Sequence, residues 1–123
     1  MESGPDPSLM VVADDLPWRA SPHPGVRWKK LHFDGQTSVV LLEFEPGASY
    51  GGHRHPEGEE YWVLSGSLED AGRTVTAGTW IQHPPGSVHR PRSEEGCLLL
   101  VRLPAPIEPF PTRDDGSPDG IGH

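Results

Sequence analysis

The sequence predicts an all-β sandwich or barrel, and three observations carry that reading. Of 123 residues, 15 are Gly and 15 are Pro, so about a quarter of the chain consists of the two residues that helices tolerate least. Short β-rich runs recur at intervals of roughly 8–12 residues. Turn signals separate them, at Asp34-Gly35, Pro46-Gly47, Gly51-Gly52, Pro84-Pro85-Gly86 and Glu95-Gly96, where glycine adopts a positive φ at little cost.

In chain order, Met1 to Ser8 shows no apolar period, and residues 1–10 are expected to form a mobile lead-in. The expected strands are Leu9–Val12, Val26–Phe33, Thr37–Glu45, Ser49–His55, Glu60–Leu68, Arg73–Thr76, Thr79–His83, Val88–Arg90 and Cys97–Leu103. No stretch carries a helical pattern, and no internal repeat is present. Residues 104–123 are rich in Pro and Gly, with Ile107, Phe110 and Ile121 as their only large apolar side chains. They read as a flexible acidic tail, which leaves residues 11–103 as the one folded domain. Whether Ile107 or Phe110 docks over the mouth of that domain is left open by the sequence.

Composition removes several classes of function. At 33% hydrophobic residues there is material for one core. The single cysteine, Cys97, supports neither an intramolecular disulfide nor a multi-thiolate metal site, and a reducing, cytoplasmic setting fits it. No apolar run approaches the roughly 20 residues that span a bilayer, and the acidic start lacks the features of a signal peptide. Net charge is −8, with much of the excess at the ends (Glu2 and Asp6; Glu108, Asp114, Asp115 and Asp119). The only basic clusters are Arg27, Lys29, Lys30 and the pair Arg90, Arg92, so neither nucleic acid nor a membrane is expected as a partner.

Chemistry concentrates around His53 and His55. Residues i and i+2 of a strand share a face, so the two imidazoles can chelate one ion while Arg54 points away. Glu59 has the same parity, beyond a Pro56-Glu57-Gly58 segment able to turn its carboxylate back, whereas Glu60 has the opposite parity. His89 follows the Pro84–Val88 turn and can enter the same cavity from a neighbouring strand. Three imidazoles and a carboxylate suit Zn, Fe, Mn, Ni, Co or Cu, so ligand type alone does not name the metal.

The framework Gly47, His53-x-His55, Glu59, Gly66, then Gly78, Pro84-x-Gly86, His89 resembles the two motifs of the cupin superfamily. Ser93 stands where cupins often have Asn. The run from His53 to Gly66, with Ala77–Trp80, Pro84–His89 and Ser93–Cys97, is similar to the cupin half of zinc-dependent anti-sigma factors. It is also similar to small dioxygenases that cleave β-diketones or aryl ketones. The resemblance covers roughly residues 17 to 103. It implies a small antiparallel β-barrel or jelly roll (a double-stranded β-helix) that holds one divalent metal ion per chain (Zn, Fe, Mn or Ni) through His53, His55, Glu59 and His89. It implies a small-molecule substrate or ligand, with a metal-dependent dioxygenase or oxidoreductase acting on a small carbonyl compound as the leading activity and Glu59 as a candidate base. A non-catalytic, metal-dependent sensing module is the alternative. A complete anti-sigma factor of that kind is not expected, because the chain has one cysteine and no helical N-terminus.

Other residues carry less. His83 reads as a strand-end histidine facing solvent, with a supporting role at the site as the sharper alternative. His23 and His32 suggest no function. Tyr50, Tyr61, Phe44 and Trp80 suit either a cavity wall or ordinary core packing, and core is the simpler reading. Cys97 reads as a buried thiol. Trp62 and Leu64 oppose Tyr61 and Val63 in parity, so this strand is apolar on both faces and a homodimer is expected to cover one of them.

Overall fold

Backbone pairing sorts the strands into two antiparallel sheets. The computed structural model describes residues 7–109. The expectations for residues 1–6 and 110–123, Phe110 and Ile121 among them, lie outside the described residues. The strands are β1 (Arg19–Ala20), β2 (Val26–Phe33), β3 (Ser38–Phe44), β4 (His53–His55), β5 (Glu59–Asp70), β6 (Arg73–Thr76), β7 (Trp80–His83), β8 (Ser87–His89), β9 (Cys97–Leu103) and β10 (Glu108–Pro109). One sheet runs β1-β2-β3-β9-β5-β6, with β7 also paired to β5, and the other runs β10-β4-β8. All pairs are antiparallel, and the result is the jelly-roll class that the sequence predicts.

The core lies on the inner face of the larger sheet. In β9 the buried residues are Cys97, Leu99 and Val101, alternating with half-buried Leu98 and Leu100. Val26, Phe44, Tyr61, Val63, Leu68 and Val75 complete most of that core. Burying one such side chain contributes about 1.5–3 kcal/mol.

Two features of β5 decide what reaches the interior. Its first half buries Glu59, Tyr61 and Val63, but the register shifts between Val63 and Ser65. Leu68 and Asp70 are therefore buried from even-numbered positions, because a bulge reverses the face a given parity presents. Gly66, at φ +73, lies so near β9 that a Cβ would fall 1.9 Å from the Gly96 carbonyl oxygen. No other residue fits there.

Some expectations are corrected. Leu9–Val12 is exposed and forms no strand, since no neighbouring strand pairs with it, and a 3-10 turn at Ala13–Asp15 follows. The strand expected from Ser49 begins at His53, because the Gly51 amide donates to the His23 side chain instead of a sheet partner. The chain after Leu103 continues into β10, which pairs with β4. Among the described residues no helix is long and apolar enough to cross a membrane.

Candidate metal centre

Strand pairing brings the expected side chains together. His53 and His55 share a face of β4, and His89 of β8 lies directly opposite His53. Gly58, at φ +84, makes the turn into β5 and packs against the His83 carbonyl, where a Cβ would meet the oxygen at 2.6 Å. That turn makes Glu59 the first residue of β5, facing inward, while Glu60 is turned away. Ligand atoms of His53, His55, Glu59 and His89 all lie within 4.8 Å of one another. The His55 and His89 Nε2 atoms are 2.8 Å apart, and each is near a Glu59 oxygen, at 3.3 and 3.5 Å.

The tautomers are set from behind. His53 Nδ1–H donates to the Gly51 carbonyl at 2.8 Å, leaving Nε2 free to face the cluster. His89 Nδ1–H donates to Asp70 Oδ1 at 2.8 Å. The Asp70 carboxylate, 1% exposed, also accepts from the Tyr61 hydroxyl at 2.5 Å and from His83 Nε2 at 2.8 Å. Burial alone would raise the Asp70 pKa, but the His83, His89 and Tyr61 hydrogen bonds together hold it well below the usual carboxylate range. Tyr61 is pushed well above its ordinary range by burial and by that same hydrogen bond.

These groups fit a cation. Glu59 Oε1 is buried and has no hydrogen-bond partner, and burial, with the nearby Asp70 charge, pushes its carboxyl up to about 8. Burial also pulls His53 down to about 4 and His55 down to about 3, with neighbouring imidazoles adding to the effect. Neutral imidazoles whose lone pairs converge beside an unpartnered carboxylate oxygen are the donor set that a divalent ion requires.

A cavity of about 350 Å³ opens onto this cluster between the two sheets. Its walls are largely apolar, including Leu42, Phe44, Leu68, Leu99 and Val101, with Ile107 contributed by the segment after β9. Of the aromatic residues named from the sequence, Phe44, Tyr50 and Tyr61 line the cavity. Trp80 does not. It is exposed on the outer face, 6.1 Å from Trp62.

Sequence reasoning missed Asp70 and misjudged His83, which is buried rather than facing solvent. His83 pairs directly with Glu59 across β5 and β7, so both point inward. Asp70 has the wrong parity relative to Glu59 until the bulge is known. His23 also gains a structural place. Its Nδ1 accepts from the Gly51 amide at 3.1 Å, and its ring packs 4.1 Å from Tyr50, which in turn lies 4.8 Å from His53.

No curated protein matches the sequence. Among solved structures, the chain is similar to the acetylacetone dioxygenase of Acinetobacter johnsonii, at 16% identity over 98% of this chain and 87% of that one, with a TM-score of 0.77. It is similar to the polyketide cyclase RemF of Streptomyces resistomycificus, at 24% identity over 89% of each chain, with a TM-score of 0.72. It also matches a chain in the complex of Rhodobacter sphaeroides SigE with the anti-sigma ChrR, at 27% identity and a TM-score of 0.65, over 73% of this chain but 49% of that one. The first two likenesses establish the fold. The sequence profile of the ChrR cupin-like domain matches residues 6–105, and with that match spanning most of its length the chain belongs to the ChrR cupin-like domain family.

Proposed function

We propose that this cupin holds one divalent metal ion through His53, His55, Glu59 and His89 and uses it to oxidise a small carbonyl compound with O₂. The observation that carries the reading is the largely apolar cavity of about 350 Å³ with the four convergent donors among its lining and neighbouring groups. A ligand that fits such walls is mostly hydrocarbon, with carbonyl oxygens to present to the donor cluster. Bound there, the ion supplies Lewis acidity and, if redox-active, the electron-transfer capacity that O₂ chemistry needs.

The chain supplies the rest. Glu59 is the candidate base for the acidic proton of a carbon flanked by two carbonyls, accepting it on the carboxylate oxygen that the ion leaves free. Phe44, Leu99 and Val101 exclude water and orient the hydrocarbon part. Support comes from similarity to proteins named for acetylacetone and polyketide chemistry, both rich in carbonyl groups. The exposed apolar residues Trp62, Leu64 and Trp80 on the outer face of β5 and β7 support pairing with a second copy.

A second reading, ligand sensing without turnover, is supported by the likeness to the SigE–ChrR complex, of whose matched chain this protein spans about half. Elemental mass spectrometry of untagged protein, with a His53→Ala control, followed by O₂ uptake with β-diketones, separates the two. About one iron or manganese per chain, lost in the control, with uptake, is the expected result. Zinc without uptake would favour sensing, and wild-type protein without metal would overturn the site.

A further inference from the structure

Three cations follow one another closely on β2, and the structure accounts for two. Arg27 pairs with Glu43 at 2.6 Å on the outer side. Lys29 is buried, and its Nζ donates to the Ala13 carbonyl at 2.8 Å. Lys30 has neither a carboxylate nor a carbonyl partner among the described residues, yet it lines the cavity.

Its placement follows from register. Lys30 pairs with Val40, Val40 with Val101, and Val101 with Tyr61, so the four form one row across the inner face. Three strand spacings of about 4.8 Å set Lys30 about 14 Å along the sheet from Tyr61. Tyr61 belongs to the buried end, where its hydroxyl meets Asp70. Lys30 is exposed and so marks the opening. There Phe33 and Trp28 flank its ammonium, at 4.9 and 5.6 Å from their ring centroids, which limits how far the side chain can swing.

The cavity is thus polarised, with donors for a cation at its base, apolar walls, and a single unpaired lysine at its mouth. We propose that Lys30 is an anion anchor, and that the ligand is a carbonyl compound with a carboxylate at the end remote from its carbonyl groups. This deepens the carbonyl reading and rests on it for the group at the base of the cavity. The chain carries a net charge of −8, so no general positive field would do the same work, and the selectivity belongs to this one side chain. A lysine near an exposed edge also discourages sheet-to-sheet pairing, but that role predicts no dependence of binding on ligand charge.

The test is calorimetric titration of the metal-loaded protein with two probes, heptane-2,4-dione and 4,6-dioxoheptanoate, which share a β-diketone on a seven-carbon chain and differ in a terminal carboxylate in place of a methyl. Wild type is compared with Lys30→Met and Lys30→Arg. The expected result is that Lys30→Met weakens the carboxylate probe about ten-fold and leaves the neutral diketone unchanged, while Lys30→Arg retains most of the affinity. Equal effects of Lys30→Met on both probes, no effect on either, or no binding of the carboxylate probe to wild type would overturn the proposal. Because the readout is binding, the oxidation reading fails separately, as absence of O₂ uptake with the Lys30-dependent binding intact.

Discussion

Asp70 accepts hydrogen bonds from three side chains at once, and one of them belongs to a proposed metal ligand. By holding His89 Nδ1–H, the carboxylate keeps the Nε2 lone pair aimed at the cluster. Replacing it by Asn preserves the size of the side chain but leaves one oxygen to serve three donors. Asp70→Asn is expected to weaken metal binding by about 10–100-fold, measured by competition with a chromogenic chelator, and an unchanged affinity would remove the positioning role. His53, His55 and His89 were legible from sequence because two share a dipeptide parity and the third follows a turn. Asp70 and His83 were not, since their placement depends on a bulge and on a cross-strand pairing that no local pattern encodes.

At the scale of elements, the bounds of β2 and β9 follow directly from the sequence, because each run is flanked by a glycine before it and by Asp or Pro after it (Gly25 and Asp34; Gly96 and Pro104). The two-residue strands β1 and β10 have no such signature and form only by pairing with a longer partner. β10 matters to the site. It pairs with β4, where Glu108 faces Arg54 across the ladder and meets it in a 2.5 Å ion pair. That pair is exposed and contributes little by itself. Ile107, by contrast, adds apolar wall to the cavity. Ending the chain after Leu103 is expected to cost about 1 kcal/mol and to lower Tm by roughly 4–8 °C, with weaker metal retention. Thermal melts and chelator competition check this, and unchanged values in both would show that the segment only decorates β4.

Across the whole molecule, the buried titrating groups set opposing pH dependences in protein stripped of metal by a chelator. His53 and His55 fall from 6.5 to about 4 and about 3 on folding, so their contribution to stability is lost as pH drops below 6.5. Glu59 rises from 4.5 to about 8, so its contribution is lost as pH climbs from 4.5 toward 8. Two imidazoles outweigh one carboxylate below 6.5, and the carboxylate acts alone above it. Stability of the stripped protein is therefore expected to peak near pH 6.5 in denaturant titrations, with Glu59→Gln abolishing the decline toward pH 8. The proposed pairing of two chains is checked by sedimentation, where wild type is expected as a dimer and Leu64→Lys as a monomer; a monomeric wild type would leave the outer tryptophans without that role. Cys97 lies within β9, which pairs with β3 on one side and β5 on the other, and burial pushes its thiol up to about 11. At pH 7 about one such thiol in ten thousand is ionised, so under the proposed oxygen chemistry the chain's one cysteine stays both shielded and chemically quiet, and oxidation of sulfur would fall first on the exposed thioether of Met10.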